Sequence, residues 1–474
     1  MTHTLSPLDD GEAPICAVST PPGTGGIAVI RLSGKGSIVL ADRVFASSSG
    51  KKLQDCAANT VHFGEIRDAA GEALDQVLVS LFRAPHSYTG EESVEISCHG
   101  SVYIQQQILR RLIDAGARLA HAGEFTQQAF LNGKMDLSQA EAVADLIAST
   151  SAGQHRLAMN QMRGGFSSEL GRLREQLLDF ISLVELELDF SEEDVEFADR
   201  SHLRELAGQI ERKTAQLADS FQAGKAIKEG IPVAIVGETN AGKSTLLNLL
   251  VGEERALVSD IHGTTRDAIE DTVNLDGILF RFIDTAGIRQ TADTIETMGI
   301  ARSFRKLEQA AIVLWVIDLT CSKEEFEATA RALVPKMKGK KAILLFNKSD
   351  LLSSAETEEA TRQAFPLELE AERLCISAKT GAHTEKLKQL LLKAAALPEI
   401  AAGDVIISNA RHYEALKKAH AAIVRVLKGM DEQLSGELLS QDIRACLHFL
   451  GEITGEITND EILGSIFSRF CIGK

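Results

Sequence analysis

A chain of 474 residues with 50 Lys and Arg against 67 Asp and Glu carries a formal charge of −17, which disfavours bulk, non-specific binding to nucleic acid. Its 44% hydrophobic and 25% charged content is ordinary for a globular protein, with room for roughly two to four domains, and no apolar run approaches the ~20 residues of a membrane helix. Seven scattered cysteines without a C-x-x-C pair, and a polar, acidic first dozen residues unlike a signal peptide, make a reduced, cytoplasmic protein without a structural zinc site the expectation.

In chain order, Thr20-Pro-Pro-Gly-Thr-Gly-Gly26 is a turn-rich loop feeding a strand from Ile27 to Leu32. Strand-like runs recur at Thr60–Ile66, Gln76–Phe82 and Ser93–Ser97, and Tyr103 to Leu112 reads as an amphipathic helix. This predicts a mixed α/β domain. Arg31 and Glu95 interrupt apolar strands, and pattern alone puts both on the solvated face. Helical periodicity follows at Phe125–Leu131, at Leu137–Ile147 and along one long stretch from Gln154 to Phe190, weakened at Gly164-Gly165. Glu192–Glu196 reads as a solvated acidic turn, and His202 to Phe221 as another helix. After an alternating α/β stretch, helices return at His412–Leu427, Leu434–Leu450 and Asn459–Phe470, the last capped by Asn459 or Asp460.

That α/β stretch opens with the apolar run Ile231–Val236, then Gly237-Glu-Thr-Asn-Ala-Gly-Lys-Ser244, then the helix pattern of Leu246, Leu247, Leu249 and Leu250. Strand, G-x-x-x-x-G-K-[ST] and helix in that order make a phosphate-binding loop. Backbone N–H groups from Asn240 through Thr245 (Asn240, Ala241, Gly242, Lys243, Ser244, Thr245) would face the phosphates, Lys243 would neutralise charge and the Ser244 hydroxyl would hold Mg²⁺. A segment Ser259-Asp260-Ile261-His262-Gly263-Thr264-Thr265 follows, with Thr265 placed to complete the Mg²⁺ shell. Asp284-Thr285-Ala286-Gly287 then supplies a further partner of the metal and a γ-phosphate N–H donor. Asn347-Lys348-Ser-Asp350 offers a carboxylate to both guanine N–H donors, and Ser377-Ala378-Lys379 a backbone N–H to the guanine oxygen. A guanine-nucleotide switch is the reading, on a parallel sheet with helices on both faces.

Several motifs extend the reading across the whole chain: Ser87-Tyr-Thr-Gly-Glu91, His99-Gly, Gly123-Glu-Phe, Phe130-Leu-Asn-Gly-Lys134, Asp136–Leu146, Gly451-Glu-Ile-Thr-Gly455 and the terminal Phe470-Cys-Ile-Gly-Lys474. With these the sequence resembles the MnmE (TrmE) family of tRNA-modifying GTPases. The resemblance implies an N-terminal α/β folate-binding and dimerisation domain (1–125), a helical domain in two parts (126–222 and 398–474), and a Ras-like P-loop G domain (223–397) inserted into it. It further implies a homodimer working with an FAD-dependent partner subunit. Together they would modify C5 of the wobble uridine of certain tRNAs with an aminomethyl or carboxymethylaminomethyl group, drawing on a tetrahydrofolate one-carbon unit such as a 5-formyl or 5,10-methylene derivative.

By position, Arg31, Glu95, Lys134 and Lys474 fall on the family's folate residues, and Cys471 on the cysteine proposed as a catalytic thiol; a small buried hydrophobe is the other reading of Cys471. Ile288 follows Gly287 and cannot orient water as glutamine would. Gln290 and Glu296 are the local candidates, and the resemblance selects Glu296. It also assigns the charge of an arginine finger to K⁺, held by Asn240 and by oxygens of Ser259, Ile261 and Thr264. A competing reading, a ribosome-assembly switch binding RNA through its flanking domains, predicts basic, aromatic-bearing strands that a chain with three Tyr and one Trp does not display.

Overall fold

The computed structural model describes residues 13–189, 200–255, 271–283, 307–353, 369–396, 405–458, 460–468, 470 and 472–473. Two units form: Met1–Ala148 with Ala158–Ala215 and Glu414–Lys474, and Ser149–Leu157 with Gln216–Tyr413.

The first unit begins with β1 (Ile15–Val18), β2 (Ile27–Ser33), α1 (Ser37–Asp42), β3 (Phe45–Ser47), β4 (Val61–Arg67), β5 (Ala73–Phe82), β6 (Ser93–His99), α2 (Val102–Asp114) and β7 (Arg118–Leu119). They make a seven-stranded sheet in the order β3-β4-β5-β6-β2-β1-β7. Alternation decides its faces: Ala28, Ile30 and Leu32 of β2, Val77, Val79 and Leu81 of β5, and Val94 and Ile96 of β6 share one core with Ile108 and Leu112 of α2. Arg31 and Glu95 therefore fall on the opposite face, directly across from each other in the β2–β6 register.

Next come α3 (Glu124–Leu131), α4 (Leu137–Ala148), α5 (Ala152–Met162), α6 (Gly165–Asp189), α7 (Arg200–Asp219) and α8 (Phe221–Glu229). The single long helix expected from Gln154 is in fact two. Gly164 sits at φ +80, a left-handed conformation that ends α5 rather than merely weakening it.

The second unit continues through β8 (Ile231–Gly237), α9 (Lys243–Arg255), β9 (Asp271–Leu275), β10 (Ile278–Phe282), β11 (Ile312–Asp318), α10 (Lys323–Met337), β12 (Lys341–Asn347), β13 (Ala371–Cys375) and α11 (Thr384–Ala395). Its sheet runs β13-β12-β11-β8-β10-β9. Every pairing is parallel except β9 with β10, whose turn residues Asp276 (φ 49) and Gly277 (φ 83) form an Asp-Gly hairpin. Helices cover both faces, Leu246 and Leu250 of α9 with Leu387 of α11 on one, Phe326 and Leu333 of α10 on the other.

The chain returns to the first unit with α12 (Ala410–Asp431), α13 (Gly436–Thr454) and α14 (Asp460–Phe467). Arg174 of α6 donates through Nη1 to the Leu447 carbonyl of α13 at 2.9 Å and pairs with Glu456. Thr214 of α7 lies 3.2 Å from His420 Nδ1 of α12. Gly451 leaves room for the guanidinium, since a Cβ there would lie 2.8 Å from Arg174 Nη1, and Gly455 admits the Phe130 ring. The Gly-Glu-Ile-Thr-Gly motif is thus explained by packing.

Candidate functional site

At the carboxyl ends of β8, β12 and β13, three loops converge where ligands bind in open α/β sheets. Gly237 (φ +144) passes so close to β11 that a Cβ would stand 2.1 Å from the Val316 carbonyl oxygen. Asn240 takes a left-handed turn at φ 63, which asparagine tolerates. Gly242 (φ +99) would put a Cβ 2.1 Å from Asn347 Nδ2. Lys243 then opens α9, its Nζ donating to the carbonyls of Gly237 at 2.9 Å and Glu238 at 2.5 Å. Ser244 and Thr245 follow in the first turn of α9. A tight loop bounded by Gly237 and Gly242 ahead of a helix N-terminus fits a polyphosphate.

Asn347, only 3% exposed, joins the loops. Its Nδ2 donates to the Ala241 carbonyl at 2.8 Å, and its Oδ1 accepts from the Ala378 N–H at 2.9 Å. Asp350 is exposed, and Ser377 Oγ donates to its Oδ1 at 2.6 Å. That hydroxyl holds the Asp350 carboxyl below the usual carboxylate range. Lys379, also exposed, follows the buried Ser377 and Ala378. Two partners escaped the sequence reading. Asp318, at the end of β11, binds Lys348 Nζ through Oδ2 at 2.5 Å, and Thr329 of α10 donates to Glu238 Oε1 at 2.5 Å. Asp318 could have been found as the polar end of an apolar strand at the sheet's carboxyl edge; Thr329 left no sequence signal.

On the N-terminal sheet, Arg31 and Glu95 are not the solvated pair that the pattern suggested. Arg31 donates to Glu95 Oε1 from Nε at 3.0 Å and from Nη2 at 2.8 Å, and the side chains are 13% and 27% exposed. The rings of Tyr88 and Phe125 flank the guanidinium at 5.0 and 5.5 Å. Both come from distant segments, which alternation within a strand does not register. Arg31 Nη1 is buried with no hydrogen-bond partner among the described residues. Burial raises the Tyr88 hydroxyl above its ordinary pKa despite its 2.8 Å hydrogen bond with Thr126 and the nearby Arg31 charge.

The Tyr88 loop is clasped from both sides. Thr89 Oγ1 lies 2.7 Å from Ser33 Oγ, Asn132 Nδ2 donates to the Thr89 carbonyl at 2.8 Å, and Lys134 Nζ donates to the Pro85 carbonyl at 3.0 Å. Lys134 thus reaches the segment that carries Tyr88. Ser259, Asp260, Ile261, His262, Gly263, Thr264, Thr265, Asp284, Thr285, Ala286, Gly287, Ile288, Gln290, Glu296, Cys471 and Lys474 lie outside the described residues.

Residues 14–134 match the family model of the GTP-binding protein TrmE N-terminus, and residues 137–471 that of the MnmE helical domain. The tRNA modification GTPase MnmE of Parabacteroides distasonis is 57% identical over 462 residues, covering 97% of this chain and 99% of that protein. The enzyme of the same name from Bacteroides fragilis is 58% identical over 462 residues with the same coverage. That of Flavobacterium johnsoniae is 52% identical over 464 residues, again covering 97% and 99%.

Proposed function

The chain belongs to the MnmE family of tRNA modification GTPases, and from that premise we propose that it spends GTP hydrolysis on modifying C5 of a wobble uridine with a folate-borne one-carbon unit. The Asn347 clasp is the observation that carries the nucleotide half: one buried amide holds the phosphate loop and the base loop in fixed register, as binding of a guanosine triphosphate requires. Asn240–Thr245 would cradle the phosphates, Ser244 and Thr265 hold Mg²⁺, and Asp350 and Ala378 read guanine. Thr285, Ala286 and Gly287 would meet the γ-phosphate, and Glu296 would activate water. K⁺ at Asn240, Ser259, Ile261 and Thr264 would supply the charge that an arginine finger brings elsewhere.

The folate half rests on Arg31. An orphaned, buried guanidinium N–H calls for an acceptor, and Glu95 beside it offers an acceptor to ligand N–H groups. A flat heterocycle carrying both kinds of atom would answer the Arg31 and Glu95 groups, with Lys134 and Lys474 available to an anionic tail. Cys471 would act on the uridine. The dimer would use the open sheet face, where Val61, Phe63 and Leu78 are 60%, 52% and 47% exposed. The FAD-dependent subunit, the three domain limits at 125, 222 and 397, and a cytoplasmic location complete the proposal; among the described residues no helix is long and apolar enough to cross a membrane.

The deciding experiment is mass spectrometry of tRNA nucleosides from a deletion strain carrying the wild-type chain, Arg31→Ala or Asp350→Asn. Restoration of the modified wobble uridine by the wild type alone is the expected result. Full restoration by Arg31→Ala would refute the folate site, and unmodified tRNA in the wild-type strain would refute the whole proposal.

A further inference from the structure

The strand β11 ends on a charge. Ile312 through Ile317 are buried and apolar, and Asp318 closes the run at the carboxyl edge of the sheet, level with Asn347 in the β11–β12 register. Its carboxylate is committed on both sides. Oδ1 accepts the Thr320 N–H at 2.9 Å and the Thr320 hydroxyl at 2.7 Å, which fixes the side chain, and Oδ2 accepts from Lys348 Nζ at 2.5 Å. The Asp318 and Lys348 side chains are 15% and 31% exposed, so water screens this pair less than the ion pairs that lie fully on the surface. Burial alone would raise the Asp318 carboxyl, but the Lys348 ammonium and both Thr320 donors outweigh it and hold the group below the usual carboxylate range. Asp318 is therefore charged at neutral pH.

Lys348 stands where the base loop turns. It adopts φ 66, a left-handed conformation that residues with a Cβ rarely take unless their surroundings impose it. Its neighbours are held by backbone: the Leu319 N–H donates to the Asn347 carbonyl at 3.2 Å, the Ser349 N–H to the Ile376 carbonyl at 3.2 Å, and the Leu351 N–H to the Lys348 carbonyl at 3.0 Å. The last of these closes the turn Ser349–Leu351, which presents Asp350 to the Ser377 hydroxyl. The Asn347 amide fixes the residue before the left-handed turn. The ion pair fixes the side chain at the turn itself, against the end of β11.

We propose that Asp318 is a positioning residue for guanine recognition, acting through Lys348: the pair holds the turn so that the Asp350 carboxylate meets the base at a set angle. This rests on the reading of Asp350 as the acceptor of both guanine N–H donors. In it Asp318 needs no contact with the nucleotide, and its effect follows the contact that it aims. Guanine offers Asp350 a ring N–H and an exocyclic amino group, whereas hypoxanthine offers the ring N–H alone. A misaimed carboxylate therefore loses more with GTP than with ITP.

The test measures dissociation constants of GTP and ITP on the full-length protein, by competition against a fluorescent guanine nucleotide. Asp318→Asn should weaken GTP at least ~5-fold and ITP less than ~2-fold, the consequence of losing one charge-assisted hydrogen bond behind the base loop. Lys348→Met should cost at least as much, and adding Asp318→Asn to it should cost no more than ~2-fold further, the non-additivity of a contacting pair. Thr320→Ala, at an exposed position, loosens the carboxylate without removing it and should narrow the preference for GTP over ITP about 2-fold. That variant decides the matter if Asp318→Asn fails to fold, which Trp315 fluorescence in denaturant reports. Glu372→Gln, which breaks the exposed Lys393–Glu372 pair of the same unit, should leave both affinities at wild type. Equal losses of GTP and ITP in Asp318→Asn, or additive losses in the double variant, overturn the proposal, because a merely structural role produces those. Asp350→Ala tests the parent reading separately. A wild-type preference for GTP over ITP in that variant sinks the parent reading and the proposal with it, whereas a collapsed preference there, with wild-type behaviour of Asp318→Asn, sinks the proposal alone.

Discussion

Replacing Asn347 by alanine tests whether the nucleotide site is organised as its hydrogen bonds suggest. The substitution strands two backbone groups in a buried setting, the Ala241 carbonyl and the Ala378 N–H, where the residues are 0% and 5% exposed. A buried hydrogen bond contributes about 1 kcal/mol, and each partner left unsatisfied costs about 1–3 kcal/mol. Asn347→Ala should therefore destabilise the second unit by about 2–5 kcal/mol and, through loss of loop preorganisation, weaken GTP binding by about 10–100-fold. The chain's one tryptophan makes the assay clean. Trp315 is 1% exposed in β11 of the same unit, so its fluorescence in a denaturant titration follows that unit. Asn347→Asp supplies a signed control. Its carboxylate can still accept from Ala378 but meets the Ala241 carbonyl without a proton, which raises its folded pKa above the unfolded value. Protonation restores the donor, so this variant should be most stable at low pH and lose stability as pH rises through the folded pKa. An Asn347→Ala protein with a wild-type unfolding midpoint and wild-type GTP affinity would refute the reasoning.

Asp350→Asn should lower GTP affinity at least ~100-fold and favour xanthosine triphosphate, as competition binding would show; unchanged GTP affinity would place base recognition elsewhere. Because the Asp350 carboxyl is held below its usual range, wild-type recognition should persist through mild acid and fade only as pH falls through that depressed value. Glu296→Ala should bind GTP nearly normally and turn over about 10²–10⁴-fold more slowly, and K⁺ should raise wild-type turnover at least ~10-fold over Na⁺ at equal ionic strength, both read by single-turnover phosphate release. Burial pushes the thiols of Cys16, Cys98 and Cys321 up to about 11 and that of Cys446 to about 12. Iodoacetamide at pH 8 should leave all four unmodified in the folded protein, with labelling growing about tenfold per pH unit as the thiolate fraction rises.

The frame of the phosphate loop was legible because it is local: β8 and α9 bracket Gly237–Ser244 as the apolar runs predicted. Arg31 and Glu95 were misplaced because period-two alternation assigns a face, not what covers it. Tyr88 and Phe125, more than fifty residues from Arg31 in the chain, cover the guanidinium on an otherwise open face. The strands β1, β3 and β7, of 4, 3 and 2 residues, were too short for a pattern to stand out. Gly164 shows the limit of propensity arguments: a per-residue cost describes a weak helix, whereas a positive φ ends one. Gly451 and Gly455 carried a motif signal, but only the atoms opposite them explain why no other residue serves.

The pairing of α6 and α7 with α12 and α13 has a consequence for how the chain is made. Between the end of α7 at Asp219 and the start of α12 at Ala410 lie about 190 residues, which a ribosome adding ~5–20 residues per second needs roughly 10–40 s to complete. For that interval Leu170, Leu177, Phe180 and Ile210, buried in the finished protein, await partners not yet synthesised. The inserted nucleotide unit can close its own sheet first, and so shortens the loop whose ends the late helices must bring together. Nascent chains stalled before residue 410 should then engage chaperones through the first helices while already binding GTP.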